Sequence, residues 1–297
     1  MGPVDLMMGI MDRSATSLGH VDGHAEQVYL VAEGAPSPPK IEEVSSSWQR
    51  SAKKYGIDPI DSSPPRILTH IELIDFREPL DRLIFSAQDE IDQLYNVVRE
   101  AGYGAFFCDS TGVGVEHRVE NAQKSQFEYW GLWLGGVWPE EVEGTNGIGT
   151  CIVEERPVTI HKTQHFRSRH INLSCSGAPV FGVDGQLLAV LDVSAIDPEL
   201  SERAHALTGS LTTKSARAIE DRFFREQFHR EWIVAVMPQG QSTGMLLAVD
   251  GDQRIVGANR AARRTLLLDN RGLQAGVTLW KFFERNLEAH STAKCNG

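Results

Sequence analysis

"EGTNGIGTCIVEERPVTIHKTQHF", Glu143 to Phe166, holds three glycines, four threonines, an asparagine, a cysteine and two histidines in twenty-four residues. Four readings compete for it: a phosphate cradle, a metal site, a catalytic centre and the wall of a binding pocket. Glycine-rich loops let backbone N–H groups approach an anion, so the phosphate reading comes first. Gly144, Gly147 and Gly149 do not make G-x-G-x-x-G, and no Gly-Lys-Ser or Gly-Lys-Thr follows, so neither nucleotide fingerprint is present. Thr145 or Asn146 is placed to cap a short helix through Ile148 to Val153, because a small polar side chain accepts from the free N–H groups of a first turn. The stretch therefore reads as a helix start followed by a strand, with its glycines serving turn geometry.

Outward from this stretch, 297 residues leave room for about two domains. A hydrophobic share of 41% is enough to build a core in each. The formal charge is −11 and no run of five basic residues occurs, which argues against a surface that attracts nucleic acid by counterion release. Cys108, Cys151, Cys175 and Cys295 lack CxxC spacing, and the start "MGPVDLMMGIMDRS" lacks a basic region ahead of a long apolar core. These features predict a cytoplasmic protein with reduced thiols and no membrane segment. The sequon Asn172-Leu173-Ser174 has no secretory signal to give it meaning.

Upstream, "GAPSPP" (Gly34 to Pro39) reads as a linker, and Ile41, Val44, Trp48, Ala52 and Tyr55 have the spacing of a short docking helix. Thr69-His70-Ile71-Glu72 has the form of a capping box. Beyond Pro79, a residue that breaks or kinks helices, Leu80, Ile84, Ala87, Ile91, Leu94 and Val98 recur at heptad steps. From Tyr103 the period changes. "YGAFFCDSTGVGVEH" is one hairpin and "SGAPVFGVDGQLLAVLDVSA" a second, with Asp184-Gly185 suited to a type I′ turn. The aromatic stretch "FEYWGLWLGGVWPEE" between them predicts loops and short helices across one sheet face. Asp197-Pro198-Glu199 predicts the start of a long helix reaching about Phe228, in which Leu200, Ala204, Leu207, Leu211 and Ala218 repeat the heptad registry. Two such stripes predict a dimeric four-helix bundle. Finally, "GMLLAVDGDQRIVGANRAARRTLLL" reads as strand, Asp250-Gly251 turn, strand and a helix opening near Asn259, and "GVTLWKFFE" closes it.

"SSWQRSAKKYGIDP", the opening stretch, "LSCSGAPVFGVDGQLLAVLDVS" and "LLAVDGDQRIVGANRAARRTL" resemble the N-terminal sensory region of bacterial enhancer-binding activators of the acetoin-catabolism-regulator type. The likeness runs from about Val44 to Phe283, with Glu143–Ser194 its specific part. It implies a GAF domain in the centre and a PAS domain after it. It also implies a downstream AAA+ ATPase and a DNA-binding helix-turn-helix, for which this sequence shows no G-x-x-x-x-G-K-[ST] and no basic helix pair. The expectation is an α+β chain: residues 1–68 an N-terminal extension with short helices, 69–230 a GAF-like antiparallel sheet flanked by helices, and 231–297 a partial PAS-like domain.

His161 and His165 stand at i, i+4, a spacing that on a helix could chelate a metal. Two ligands make no site, and the resemblance brings no metal or cofactor, so none is expected. Cys175, or Cys151, could act as a nucleophile beside a histidine, but a free cysteine in an apolar strand is ordinarily a small buried hydrophobe. Trp130, Trp133 and Trp138 are dense enough to wall a cavity, with Asn146, Thr150, His161, His165 and Cys175 as its polar and lining groups. Their bland alternative is core packing and helix capping. The functional expectation is a non-enzymatic, homodimeric region that senses a small metabolite and controls transcription without touching DNA itself, with a partner transcription protein as a further candidate contact. The alternatives are a cysteine enzyme resembling the GAF-fold reductases of free methionine sulfoxide, and a ligand-free dimerisation scaffold.

Overall fold

The computed structural model describes residues 23–39, 41–237 and 244–283. The Met-rich start and Cys295 lie outside them. The chain divides into two compact units, Met1–Val180 with Leu187–Ile219 and Phe181–Gln186 with Glu220–Gly297.

In the first unit, helix α1 spans residues 23–33, and the Gly34–Pro39 linker has no regular structure beyond isolated turns. Helix α2 (Ser45–Gln49) follows a 3-10 turn and runs into a π-helical turn, Arg50–Lys54. The spacing that predicts a docking helix is borne out: Ile41, Val44 and Trp48 are buried beside Val28 and Val31 of α1. α3 (His70–Arg77) opens on the capping box, with Thr69 N donating to Glu72 Oε2 (2.7 Å) and Glu72 N to Thr69 Oγ1 (3.4 Å). Pro79 sits in a 3-10 turn that ends α3, and α4 (Asp81–Val98) follows. Its heptad residues Leu80, Ile84, Ala87, Ile91, Leu94 and Val98 are all buried within the chain.

β1 (Tyr103–Asp109) and β2 (Gly114–Arg118) form the first hairpin, both packed on α4. Short helices α5 (Lys124–Tyr129), α6 (Glu140–Glu143) and α7 (Gly147–Glu154) lead to β3 (Val158–His161). β4 (Leu173–Phe181) and β5 (Leu187–Ile196) complete a sheet of order β2-β1-β5-β4-β3. Antiparallel ladders pair Phe106 with Asp192 and Ile160 with Cys175. Side chains alternate across a strand, so Phe106, Cys108, Cys175, Asp192 and Ile160 share one face. That face lies under α7, α2 and the aromatic segment. Tyr103 and Ser176 lie on the other, beneath α8 (Glu202–Gln227).

Three expectations need correction. Asp184 does not adopt the positive φ of a type I′ turn; only Gly185 does, at +84°. α8 starts at Glu202 rather than at Asp197, because the Asp197 carboxylate accepts from Glu199 N in a turn of its own and Ser201 Oγ accepts from Ala204 N. Its heptad residues do not form the buried stripe. Leu207 is 70% exposed, while His205, Thr208, Thr212, Ala216 and Ile219 face inward. A polar sheet surface bearing Ser174 and Ser176 accepts a polar helix face, and the leucines are left outside.

The second unit holds a sheet of order β6-β7-β8, formed by β6 (Trp232–Val236), β7 (Met245–Val249) and β8 (Ile255–Ala258). Asp250 shapes the β7–β8 turn by accepting from Asp252 N and Arg254 N. α9 (Arg260–Leu266) starts at Asn259, whose side chain accepts from Ala262 N, and α10 (Asn270–Gln274) at Asp269. β6 was not foreseen, since a run of apolar residues as short as "WIVAV" directly after a helix cannot be told from more helix by periodicity.

Candidate ligand-binding site

The opening stretch is built on Asn146. Its Oδ1 accepts from Ile148 N (2.9 Å) and Gly149 N (2.8 Å), capping α7, and its Nδ2 donates to Trp138 O (3.0 Å) and Gly144 O (2.8 Å). One amide thus joins the helix to the aromatic segment. Gly144 alone of the three glycines has a positive φ, at +68°. Gly147 and Gly149 serve close packing instead of turn geometry: a Cβ on Gly147 would stand 2.7 Å from Asp192 Oδ1 and from Cys175 Cβ, and one on Gly149 2.2 Å from Glu140 N.

α7 thereby seats directly on the strand that carries Cys175. Trp138 is buried there with Phe106, Cys108, Phe127, Leu132, Ile148 and Leu173, its Nε1 donating to Gly131 O (2.8 Å). His165 Nδ1 lies 3.0 Å from Lys162 O and so carries the proton, leaving Nε2 to accept from the Cys175 thiol at 3.4 Å. Burial pushes the Cys175 thiol up and lowers His165 to about 3. The pair is neutral, and a protonated thiol is a poor nucleophile. The His170 ring lies 5.2 Å from Trp138, 6.0 Å from His165 and 6.3 Å from Trp130. Behind it Glu143, itself buried, pairs with Arg169 (2.6 Å) and Arg167 (3.3 Å), and Arg167 also reaches Asp61 (2.8 Å). Asp192 is fully buried. Its Oδ2 accepts from Ser194 (2.5 Å), and burial raises its carboxyl to about 7. Among the described residues His170 Nδ1 and Asp192 Oδ1 have no hydrogen-bond partner.

The sequence-predicted site therefore divides. Trp130, Trp138, His165 and Cys175 come together. Asn146 stands behind them as the cap, and Trp133 packs outward against His117 at 4.2 Å. Thr150 belongs to the N-terminal dock, where Ser47 Oγ meets Thr150 Oγ1 (3.3 Å), Thr145 Oγ1 (2.6 Å) and Glu140 Oε2 (2.7 Å). His161 and His165 do not share a helix face: His161 ends β3 and lies on the opposite side of the sheet, 2.8 Å from Ser174 Oγ. There it lines a cleft of about 340 Å³ with His205, Thr159 and Gln164. His170 and Asp192 were missed. A carboxylate at a core-facing position of "AVLDVSA" was a readable signal for Asp192; "RSRHI" offers none for His170. Among the described residues no group of three or more His, Cys, Asp or Glu side chains is placed to hold a metal ion.

The five-stranded antiparallel sheet with helices on both faces is GAF-like, and residues 87–219 match the GAF domain model. The chain contains a GAF domain. Beyond it, the chain is 32% identical over 250 residues to the acetoin catabolism regulatory protein of Cupriavidus necator, a match covering 83% of this chain and 37% of that protein. It is 28% identical over 182 residues to the acetoin dehydrogenase operon transcriptional activator of Bacillus subtilis, covering 60% and 28%. The matched region thus spans well under half the length of these regulators. The Escherichia coli DhaR(N)–DhaL complex structure shares the fold, with TM-score 0.55 and 15% identity over 82% of each chain. Among the described residues no helix is long and apolar enough to cross a membrane.

Proposed function

We propose that this chain is a cytoplasmic sensory region controlling transcription, which binds a small uncharged metabolite against Trp130, Trp138, His165, His170 and Cys175. One observation carries the reading: among the described residues two fully buried polar atoms, His170 Nδ1 on the ring beside Trp138 and Asp192 Oδ1 beside Gly147 and Cys175, have no hydrogen-bond partner. Leaving a buried polar group unpaired costs about 1–3 kcal/mol, a cost that a bound hydroxyl or carbonyl compound would offset. The transcriptional activators it is similar to supply the output class. The ATPase, the DNA contact and any partner protein are supplied outside residues 1–297, residues 231–297 serve as a PAS-like part, and α8 pairs two copies through Ala204, Leu207, Leu211 and Ala218. Cys175 is a wall residue here, not a catalyst.

The test is a thermal-shift screen of short diols, ketones, alcohols and carboxylates, with their phosphorylated counterparts alongside. A compound at a hundred times its Kd stabilises by about 2.7 kcal/mol. Trp138→Ala is too severe a control, since truncating a buried tryptophan costs about 3–5 kcal/mol; Trp138→Phe and Trp130→Ala are the useful variants, each weakening the hits. Stabilisation only by phosphorylated compounds, or hits indifferent to both substitutions, would overturn the reading.

A further inference from the structure

His170 lies outside the residues that the sequence singles out, and its surroundings fix its protonation. Arg169 Nε is 2.9 Å from His170 Nε2. A guanidinium Nε–H can only donate, so Nε2 must present its lone pair. The Glu143 Oε2 atom is 3.6 Å from the same nitrogen, too far to claim a proton from it. Full burial and the neighbouring His165, Arg169 and Arg167 all lower His170, so the ring is neutral and its single proton is on Nδ1. That N–H is the atom without a partner, on a ring set among Trp138, His165 and Trp130.

We infer that His170, held as its Nδ1–H tautomer by Arg169, is the residue that selects the ligand: it donates one hydrogen bond to an uncharged oxygen acceptor, a carbonyl or hydroxyl oxygen. This rests on the sensing role proposed above and names its ligand chemistry. An anion is disfavoured because both nearby guanidiniums are already committed, Arg169 to Glu143 and Arg167 to Glu143 and Asp61. An ammonium ion is disfavoured because the group on offer is a donor. Arg169 is a positioning residue: it reaches the ligand only through the imidazole.

The experiment uses the full chain with ¹⁵N-labelled histidine and reads the ring-nitrogen shifts of His170, assigned with His170→Asn. The wild type is expected to show a protonated Nδ1 and a bare Nε2, and Arg169→Met to return the ring to the commoner Nε2–H form. Cyclopentanone and cyclopentanol are then expected to shift the Nδ1–H signal, with cyclopentylamine and cyclopentane leaving it in place. His170→Asn, which keeps an N–H near the Nδ1 position, is expected to retain cyclopentanone binding within about fivefold, and His170→Phe to weaken it at least tenfold. A wild-type Nε2–H ring overturns the inference even if the thermal-shift screen succeeds. An Nδ1–H ring that ignores both oxygen compounds overturns the ligand assignment. An Nδ1–H ring in a protein that no metabolite stabilises leaves the tautomer standing and removes the sensing role.

Discussion

At the scale of single residues, Asn146 and Gly149 show how one stretch can be both structural and site-forming. Asn146→Ala removes the α7 cap, worth about 1 kcal/mol. It also leaves Trp138 O and Gly144 O without their amide donor in a buried position, at about 1–3 kcal/mol each if unrelieved. A loss of at least 3 kcal/mol in urea denaturation is expected, with Asn146→Ser, which keeps the cap, losing clearly less. Gly149→Ala sets helix propensity, a gain of about 1 kcal/mol, against a Cβ placed 2.2 Å from Glu140 N. Backbone atoms cannot give way as a side chain tip can, so overpacking wins and the variant is less stable by about 1–3 kcal/mol; equal or greater stability would show that α7 can draw away from the Trp138–Glu140 backbone. The cap was legible as Thr145 or Asn146 because capping is a local rule; which of the two, and that Asn146 stands behind the site instead of lining it, was not. The roles of Gly147 and Gly149 were not, since the atoms that exclude a side chain come from Glu140, Cys175 and Asp192, distant or unremarkable in the sequence. His170 was hidden for the same reason: its tautomer depends on a neighbour's donor and a wall made by other elements.

At the scale of elements, the N-terminal helices complete the first unit. Trp48 is fully buried with Cys151, Ile160, Phe166 and Val190, and its Nε1 donates to Gln164 O (2.9 Å). His24 Nε2 donates to His165 O (3.0 Å) while its Nδ1 accepts from Ser168 Oγ (3.0 Å). Both side chains clamp the segment that carries His165 and His170. His24→Ala is therefore expected to raise amide hydrogen exchange across residues 162–170 by at least tenfold while leaving β1 and β5 protected; uniform exchange across the unit would refute a local clamp. The docking helix was legible from its apolar spacing, whereas its partner surface was not. The heptads divide in the same way. α4's stripe is core, so Ile91→Asp should unfold the first unit, since an uncompensated buried charge costs several kcal/mol. Leu207 on α8 is exposed, so Leu207→Asp should leave the fold intact and, if α8 pairs two copies, yield monomers by sedimentation. Periodicity shows that a stripe exists. It does not show what covers the stripe.

At the scale of the whole molecule, buried titratable groups set how stability depends on pH. Burial is the main cause that lowers His24, His117, His165, His170 and His205, with His165 at about 3 and His205 at about 4. A histidine lowered in the fold binds fewer protons than in the unfolded chain, so its contribution is complete above about 6.5 and is lost as pH falls toward the folded value. Asp192, raised to about 7 by burial, has the opposite sign: its contribution is present below the unfolded value near 3.8 and is lost as pH rises through 7. Glu143, also raised by burial, acts in the same direction. Between about pH 4.5 and 6.5 His165, His170 and His205 outweigh the opposing Asp192, and each net proton adds up to about 1.4 kcal/mol per pH unit. Stability of the first unit should therefore climb toward pH 6.5 against the opposing slope of Asp192, and level off above about pH 7, where Asp192 is ionised in both states. Urea denaturation at five pH values can follow this by tryptophan fluorescence, since four of the six indoles, Trp48, Trp130, Trp133 and Trp138, lie in that unit. Asp192→Asn is the decisive control. It should steepen the climb between pH 4.5 and 6.5 by up to about 1.4 kcal/mol per pH unit, because the opposing carboxyl is gone and the histidines are untouched. A profile flat from 4.5 to 6.5 would mean that these rings gain protons without leaving the core, and a climb no steeper in Asp192→Asn would mean that this carboxyl is already ionised in the folded protein over that range.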